Sequence, residues 1–159
     1  MSLQIRPARL DDAVQILSFI TELADYERAR HEVVASQADI ERSLFGEGST
    51  ASALICERDG QAIGFAVYCF SYSTWLGANG LYLEDLYVTP EARGTGAGKQ
   101  LLRHLARLAV EQGCGRFEWS VLDWNQPAID FYKSIGAEPQ DEWVRYRMDG
   151  ETLRAFAQG

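Results

Sequence analysis

Histidine and cysteine are scarce in this chain. Its 159 residues hold two histidines, His31 and His104, and three cysteines, Cys56, Cys69 and Cys114. No two cysteines form a C-x-x-C pair, and there is no H-E-x-x-H. Structural and catalytic zinc sites draw on tight Cys/His clusters, so no metal is expected. A hydrolase built on a histidine base is also poorly supplied. Cys56 and Cys69 sit in apolar, strand-like runs, where a reduced cysteine acts as a small hydrophobe.

Positive charge is in short supply too. Fifteen Lys and Arg stand against 23 Asp and Glu, for a net charge of −8. No basic patch or stripe is visible, which argues against a nucleic-acid partner. Long apolar runs are missing as well. The longest, Ile63–Phe70, is far below the roughly 20 residues a membrane helix needs. The opening residues Met1–Pro7 lack the apolar core of a signal peptide. The expectation is a cytoplasmic protein with no membrane partner. Acidity suits a cationic substrate, although it is also an ordinary route to solubility.

Hydrophobic residues make up 47%, enough for a core without disulfides. No repeat, low-complexity tract or linker appears, so residues 1–159 are expected to form a single domain. Leu3–Ala8 alternates as a short first strand. Ala13, Ile16, Leu17, Ile20, Leu23 and Ala24 repeat at helical period, behind Asp11 and Asp12, which suit a helix N-terminus. Ser36, with Asp39 three residues on, predicts the cap of a second helix ending at Gly46 or Gly48. Ala51–Glu57 and Ala62–Tyr72 read as strands joined by Asp59-Gly60, a two-residue hairpin signal. Leu81–Val88 reads as a third strand leading into glycines and then a long amphipathic helix whose face is Leu101, Leu102, Leu105, Leu108 and Ala109. Phe117–Leu122, a helix capped by Asn125 and running to Ser134, an alternating strand Trp143–Met148 and a final helix Glu151–Ala157 complete the order. This is a mixed α/β chain. The strand-helix-strand passage predicts a parallel pair, and the hairpin predicts an antiparallel part.

The strongest local signal is Arg93-Gly94-Thr95-Gly96-Ala97-Gly98-Lys99, between a strand and a helix. Glycines allow backbone to approach a ligand closely, and a helix N-terminus offers unpaired N–H groups to phosphate. A Walker A loop is excluded: Gly94 to Gly98 is one residue short, and Gln100 replaces the Ser or Thr that holds magnesium. A dinucleotide fingerprint fails at Lys99, where its third glycine belongs. The remaining pattern is R-x-x-G-x-G, met by Arg93, Gly96 and Gly98.

That pattern resembles motif A of the GNAT N-acetyltransferases, which cradles the pyrophosphate of coenzyme A. The resemblance runs through nearly the whole chain. Leu81–Val88, Trp124–Lys133 with Gly136-Ala137, Ile5–Ala8, Glu22–Glu27, and Phe65–Tyr68 with Tyr72 and Trp75 are all similar to the diamine (spermidine/spermine) and thialysine branch. The resemblance implies a splayed, mostly antiparallel mixed sheet with a central parallel pair, flanked by helices. It also implies acetyl-CoA as co-substrate and a homodimer.

The site residues implied are these. Leu86, Tyr87 and Val88 pair their backbone with the pantetheine arm, as an added strand would. Arg93, Gly94, Thr95, Gly96, Ala97, Gly98 and Lys99 hold the pyrophosphate, Lys99 as a point charge. Asn125, Gln126, Pro127 and Ala128 lie where the family contacts coenzyme A, though Asn125 would cap its helix in any case. Tyr132 is the expected acid at the departing thiolate, and Glu84 the carboxylate that takes the amine's proton. Glu84 and Asp85 are neighbours on a strand and should face opposite ways, so one of the two is expected in the site, and the resemblance favours Glu84. Tyr26, Glu27, Glu118, Trp119 and Ser120 match amine-contacting positions, joined by Asp141 or Glu142. The loop Glu138-Pro139-Gln140 is shorter than in the eukaryotic diamine enzymes, which leaves those last two open.

The function expected is acetyl transfer to a primary amine of a small basic substrate by direct attack in a ternary complex, since no cysteine stands in a nucleophile motif. Two alternatives stand beside it: acetylation of a protein N-terminus or lysine, and a non-catalytic acyl-CoA-binding sensor.

Overall fold

The computed structural model describes residues 2–159. They form two compact units, divided between Ser120 and Val121.

The first unit is a five-stranded sheet in the order β1-β2-β3-β4-β5. The strands are β1 (Leu3–Pro7), β2 (Ala51–Arg58), β3 (Gln61–Ser73), β4 (Ala78–Val88) and β5 (Arg116–Trp119). The first four are antiparallel neighbours, and β4–β5 is parallel. The helices are α1 (Ala13–Tyr26), α2 (Gln37–Phe45) and α3 (Ala97–Glu111).

Local chemistry sets these elements. At the β2–β3 hairpin, Arg58 faces Gln61 across a two-residue turn in which Asp59 and Gly60 both take positive φ, 54° and 77°. That is the mirror-image turn whose twist matches paired strands. Ser36 caps α2 by a reciprocal capping box: its Oγ accepts from the Asp39 N–H at 3.1 Å, and Asp39 accepts from the Ser36 N–H at 2.9 Å. Ahead of α1, Asp12 receives both guanidinium nitrogens of Arg6 at 2.7 and 2.9 Å. This pairing holds the Asp12 carboxyl below its ordinary range.

Phe19, on the buried face of α1, stacks on Phe65 with centroids 5.6 Å apart and meets Tyr87 at 5.8 Å. Around them lie Ala13, Ile16, Ile40, Ala53, Ile55 and Val67. Sequence periodicity found the α1 face without Phe19, which falls between its helical neighbours. α3 contacts β1, β3, β4 and β5 and shares no residue with that cluster, so it covers the other face. Leu101, Leu102, Leu105 and Ala109 are buried there, with Leu108 half-buried.

β4 carries a bulge. Val67 pairs with Asp85 but Tyr68 pairs with Leu83, which leaves Glu84 as an extra residue. Consecutive β3 residues face opposite ways, so Leu83 and Asp85 do as well, despite being two apart. The bulge breaks the strand's alternation between Leu83 and Asp85. β5 pairs with β4 only from Gly80 to Leu83 and stops at the bulge. It is therefore shorter than the predicted Phe117–Leu122. From Glu84 to Val88, β4 has no strand on that side among the described residues.

The second unit holds α4 (Gln126–Ser134) and α5 (Gly150–Ala157). Asn125 caps α4 by accepting from the Ala128 N–H at 3.4 Å. The predicted strand Trp143–Met148 is not formed. Its alternating residues need a ladder partner, and the described residues of this unit offer only helices. Trp143, Val144 and Tyr146 stand exposed. Without that strand, the parallel pair lies at the edge of the described sheet rather than in its centre.

Candidate active site

The glycine turn begins where β4 ends. A short 3-10 turn, Pro90–Ala92, precedes Arg93. Gly94 and Gly96 then adopt φ of 83° and 86°. L side chains avoid this region, so the two glycines are required by the path of the chain. Gly96 also stands at the N-cap of α3 and brings no side chain to cover the helix end. The N–H groups of the first helical turn, Ala97, Gly98 and Lys99, have no acceptor within the helix. Together they form a concave, positively polarised cradle for phosphate. Thr95 turns its hydroxyl inward, donating to the Ala92 carbonyl at 2.6 Å. Lys99 is exposed at the first turn.

Alongside runs the free edge of β4, Glu84–Val88, which contains the predicted Leu86, Tyr87 and Val88. At its end the Val88 carbonyl accepts from Arg93 Nε at 3.2 Å. The Tyr87 side chain is buried against Phe19, and its hydroxyl donates to Glu22 Oε1 at 2.9 Å. Burial and this carboxylate push the phenol up to about 12, so it stays protonated. An open strand edge leading into an N–H cradle suits a ligand with an amide arm followed by a pyrophosphate.

Carboxylates gather on the α1 side of the same strand. Asp85 is half-buried, and its acid is pushed up to about 6, first by burial and then by the charges of Glu84 and Glu27. Glu27, at the C-terminal end of α1, is also raised by burial. Asp85 thus lies within electrostatic reach of both Glu84 and Glu27. From the sequence, one of Glu84 and Asp85 is expected in the site. No sequence signal marks the bulge.

The remaining predicted residues divide. Tyr82 pairs with Glu118 and Leu83 with Trp119, so Glu118 and Trp119 face opposite sides of β5, with Glu118 on the carboxylate side. Tyr82 Oη lies 3.1 Å from Ser120 Oγ. Tyr26 is half-exposed at the end of α1, with the Arg93 guanidinium 5.4 Å from its ring centre. In the second unit, half-buried Tyr132 lies on α4, seven residues after its cap Asn125 and next to Phe131, at a ring separation of 5.9 Å. Gln126, Pro127 and Ala128 form the first turn of α4. Asp141 and Glu142 are exposed in a turn. Among the described residues no group of His, Cys, Asp and Glu is arranged to hold a metal ion. No helix there is long and apolar enough to cross a membrane.

Comparison with known proteins follows this geometry. The pattern of the Acetyltransferase (GNAT) family matches residues 16–137. A thialysine N-epsilon-acetyltransferase of Mus musculus is 37% identical, with 98% of each chain aligned. A spermidine/spermine N(1)-acetyltransferase-like protein 1 of Homo sapiens is 36% identical over 97% of this chain and 24% of its own length. An integron cassette protein from the mobile metagenome of V. cholerae has a similar structure, with a TM-score of 0.83 and 31% identity, covering 100% of this chain and 99% of its own. Acetyl-CoA is the co-substrate of that family, and the cradle and open strand edge suit it. With the family pattern running from α1 past the end of α4, and relatives aligned along nearly the whole chain, this protein belongs to the GNAT family of acetyltransferases.

Proposed function

We propose that the protein moves acetyl from acetyl-CoA to a primary amine of a small basic substrate, namely a diamine, a polyamine or a thialysine-like amino acid. The observation that carries this reading is the group Glu27, Glu84 and Asp85 beside the open edge of β4. Asp85, within reach of both Glu84 and Glu27, makes an acidic group that suits a substrate with more than one positive charge, and a relative aligned over nearly its full length is a thialysine acetyltransferase by name. When bound, acetyl-CoA supplies the activated acetyl thioester. The N–H groups of Ala97, Gly98 and Lys99 bind its pyrophosphate, and the backbone of Leu86 to Val88 orients its amide arm. Asn125, Gln126, Pro127 and Ala128 are the further coenzyme A residues that the family resemblance implies.

An amine arrives as ammonium and must lose a proton before it can attack. Glu84 takes that proton, directly or through water, while Glu27, Asp85 and Glu118 hold the remaining charge. Tyr26 offers a ring to the cation or its methylenes. Tyr132 offers its phenolic proton to the departing sulfur. A thiol near ~8.5 is a stronger acid than a phenol near ~10, so this is hydrogen-bond stabilisation more than complete transfer. Attack is direct, in a ternary complex. The whole chain works as one acetyltransferase domain, in the cytoplasm and as a homodimer.

The test is thiol release from acetyl-CoA across spermidine, putrescine, thialysine, lysine and a lysine peptide, beside Tyr132→Phe. We expect turnover with a small diamine or thialysine. The variant should lose roughly 100-fold in kcat, the lower range for one acid-base group, and keep its affinity for CoA. Turnover with the peptide alone would replace this reading with protein acetylation. Tight CoA binding without turnover would leave a sensor.

A further inference from the structure

Little holds the turn Gly94–Gly96 in place. A Cβ built on Gly94 or Gly96 would meet nothing within 4 Å, so the backbone there is not packed. Two side chains tie the segment down. Thr95 bonds back to Ala92 locally. Arg93 reaches much further. Its Nε donates to the Val88 carbonyl, and its guanidinium lies 5.4 Å from the ring centre of Tyr26 and 5.8 Å from that of Tyr87. Both distances are within the range at which a cation is drawn to an aromatic ring. Tyr87 is anchored in turn by its hydrogen bond to Glu22, one helical turn before Tyr26. Arg93 is therefore engaged with the end of α1 and the end of β4, and does not simply extend a charge into the phosphate cradle.

We propose that Arg93 is a positioning residue that joins the cofactor cradle to the amine-side end of α1, so that Tyr26 supports coenzyme A binding through Arg93 without being part of the cradle. This rests on the acetyltransferase reading above. The cradle must be ordered before its N–H groups converge on a phosphate, and ordering beforehand lowers the cost of binding. Removing the ring of Tyr26 releases one side of the Arg93 guanidinium, and with it the start of the turn. Linkage then works in both directions: an amine that fixes Tyr26 tightens CoA, and CoA tightens the amine by the same factor.

The experiment is calorimetric titration of CoA, with no amine present, into wild type, Tyr26→Leu, Tyr26→Phe, Arg93→Met and the double variant Tyr26→Leu/Arg93→Met. Tyr26→Leu should weaken CoA about three- to thirtyfold, the range of a cation–π contact. Tyr26→Phe, which keeps the ring and loses only the hydroxyl, should bind as wild type. In the Arg93→Met background Tyr26→Leu should add nothing, because its route to the cradle is already cut. Wild-type affinity in Tyr26→Leu would overturn the proposal. So would a loss that persists undiminished in the double variant, which would mean that Tyr26 acts on CoA by itself. Absence of CoA binding by the wild-type protein would instead overturn the acetyltransferase reading of the cradle.

Discussion

Asp85 shows how one carboxyl can carry the cost of a site. Its acid lies at about 6, against 3.8 for an ordinary aspartate. A carboxyl raised by folding binds its proton more tightly in the native state than in the unfolded chain. Its contribution is therefore most favourable below 3.8, declines as pH rises through the interval from 3.8 to about 6, and is fully lost above it. Asp85→Asn should accordingly be more stable than wild type at pH 7.5, by about 1–3 kcal/mol at the usual conversion of pKa to free energy. The advantage should vanish by pH 4. Urea denaturation of the ligand-free pair at both pH values measures it, and an equal difference at the two would refute the charge explanation. Residues of this kind were only partly legible in the sequence. Ser36, Asn125 and the pair Asp59-Gly60 declared themselves because a cap or a turn is decided by neighbouring atoms. The burial of Asp85, the bond from Tyr87 to Glu22 and the engagement of Arg93 depend on partners far along the chain, and no local pattern encodes them.

At the scale of elements, β3 and β4 form the join on which the open edge depends. At Gly64 there is no room between them for a side chain: a Cβ would lie 2.6 Å from the Tyr87 carbonyl oxygen. Backbone cannot yield as a flexible side chain can. Gly64→Ala should push the strands apart, cost about 1–3 kcal/mol by overpacking and weaken CoA binding, because its partner Val88 turns its carbonyl to the edge offered to the ligand. Chemical denaturation with CoA titration checks both; unchanged stability would show that the strands can part freely. Element type was largely readable from periodicity, as α1, α3 and the hairpin show. Trp143–Met148 marks the boundary of that method. Alternation shows that a segment is suited to a ladder, but forming a strand also requires a neighbouring strand to pair with. β5 makes the same point, since it ends where the bulge takes its partner away.

For the molecule as a whole, a net charge of −8 sets a field that draws cations. If the acceptor carries two or more positive charges, kcat/KM should fall as salt rises from about 0.01 to 0.15 M, where the Debye length shrinks from about 30 to about 8 Å. A singly charged amine should lose less, and kcat at saturation should hardly move. Equal salt slopes for spermidine and a monoamine would reduce the acidity to a matter of solubility. Composition alone left those two meanings of the charge open. The carboxylates gathered at β4 give the attraction a destination.

The extra residue in β4 also gives its deletion a different meaning from its replacement. Val67 pairs with Asp85 and Tyr68 with Leu83, so Glu84 stands outside the ladder. Replacing it alters one carboxylate and leaves the bulge. Deleting it would join Leu83 to Asp85 in the register they already hold, so Asp85 and Tyr87 would keep their faces while the kink at which β5 parts from β4 would be lost. Glu84 is thus punctuation as well as chemistry. An in-frame deletion there should keep a stable fold in urea denaturation and lose CoA binding, whereas Glu84→Gln should keep both.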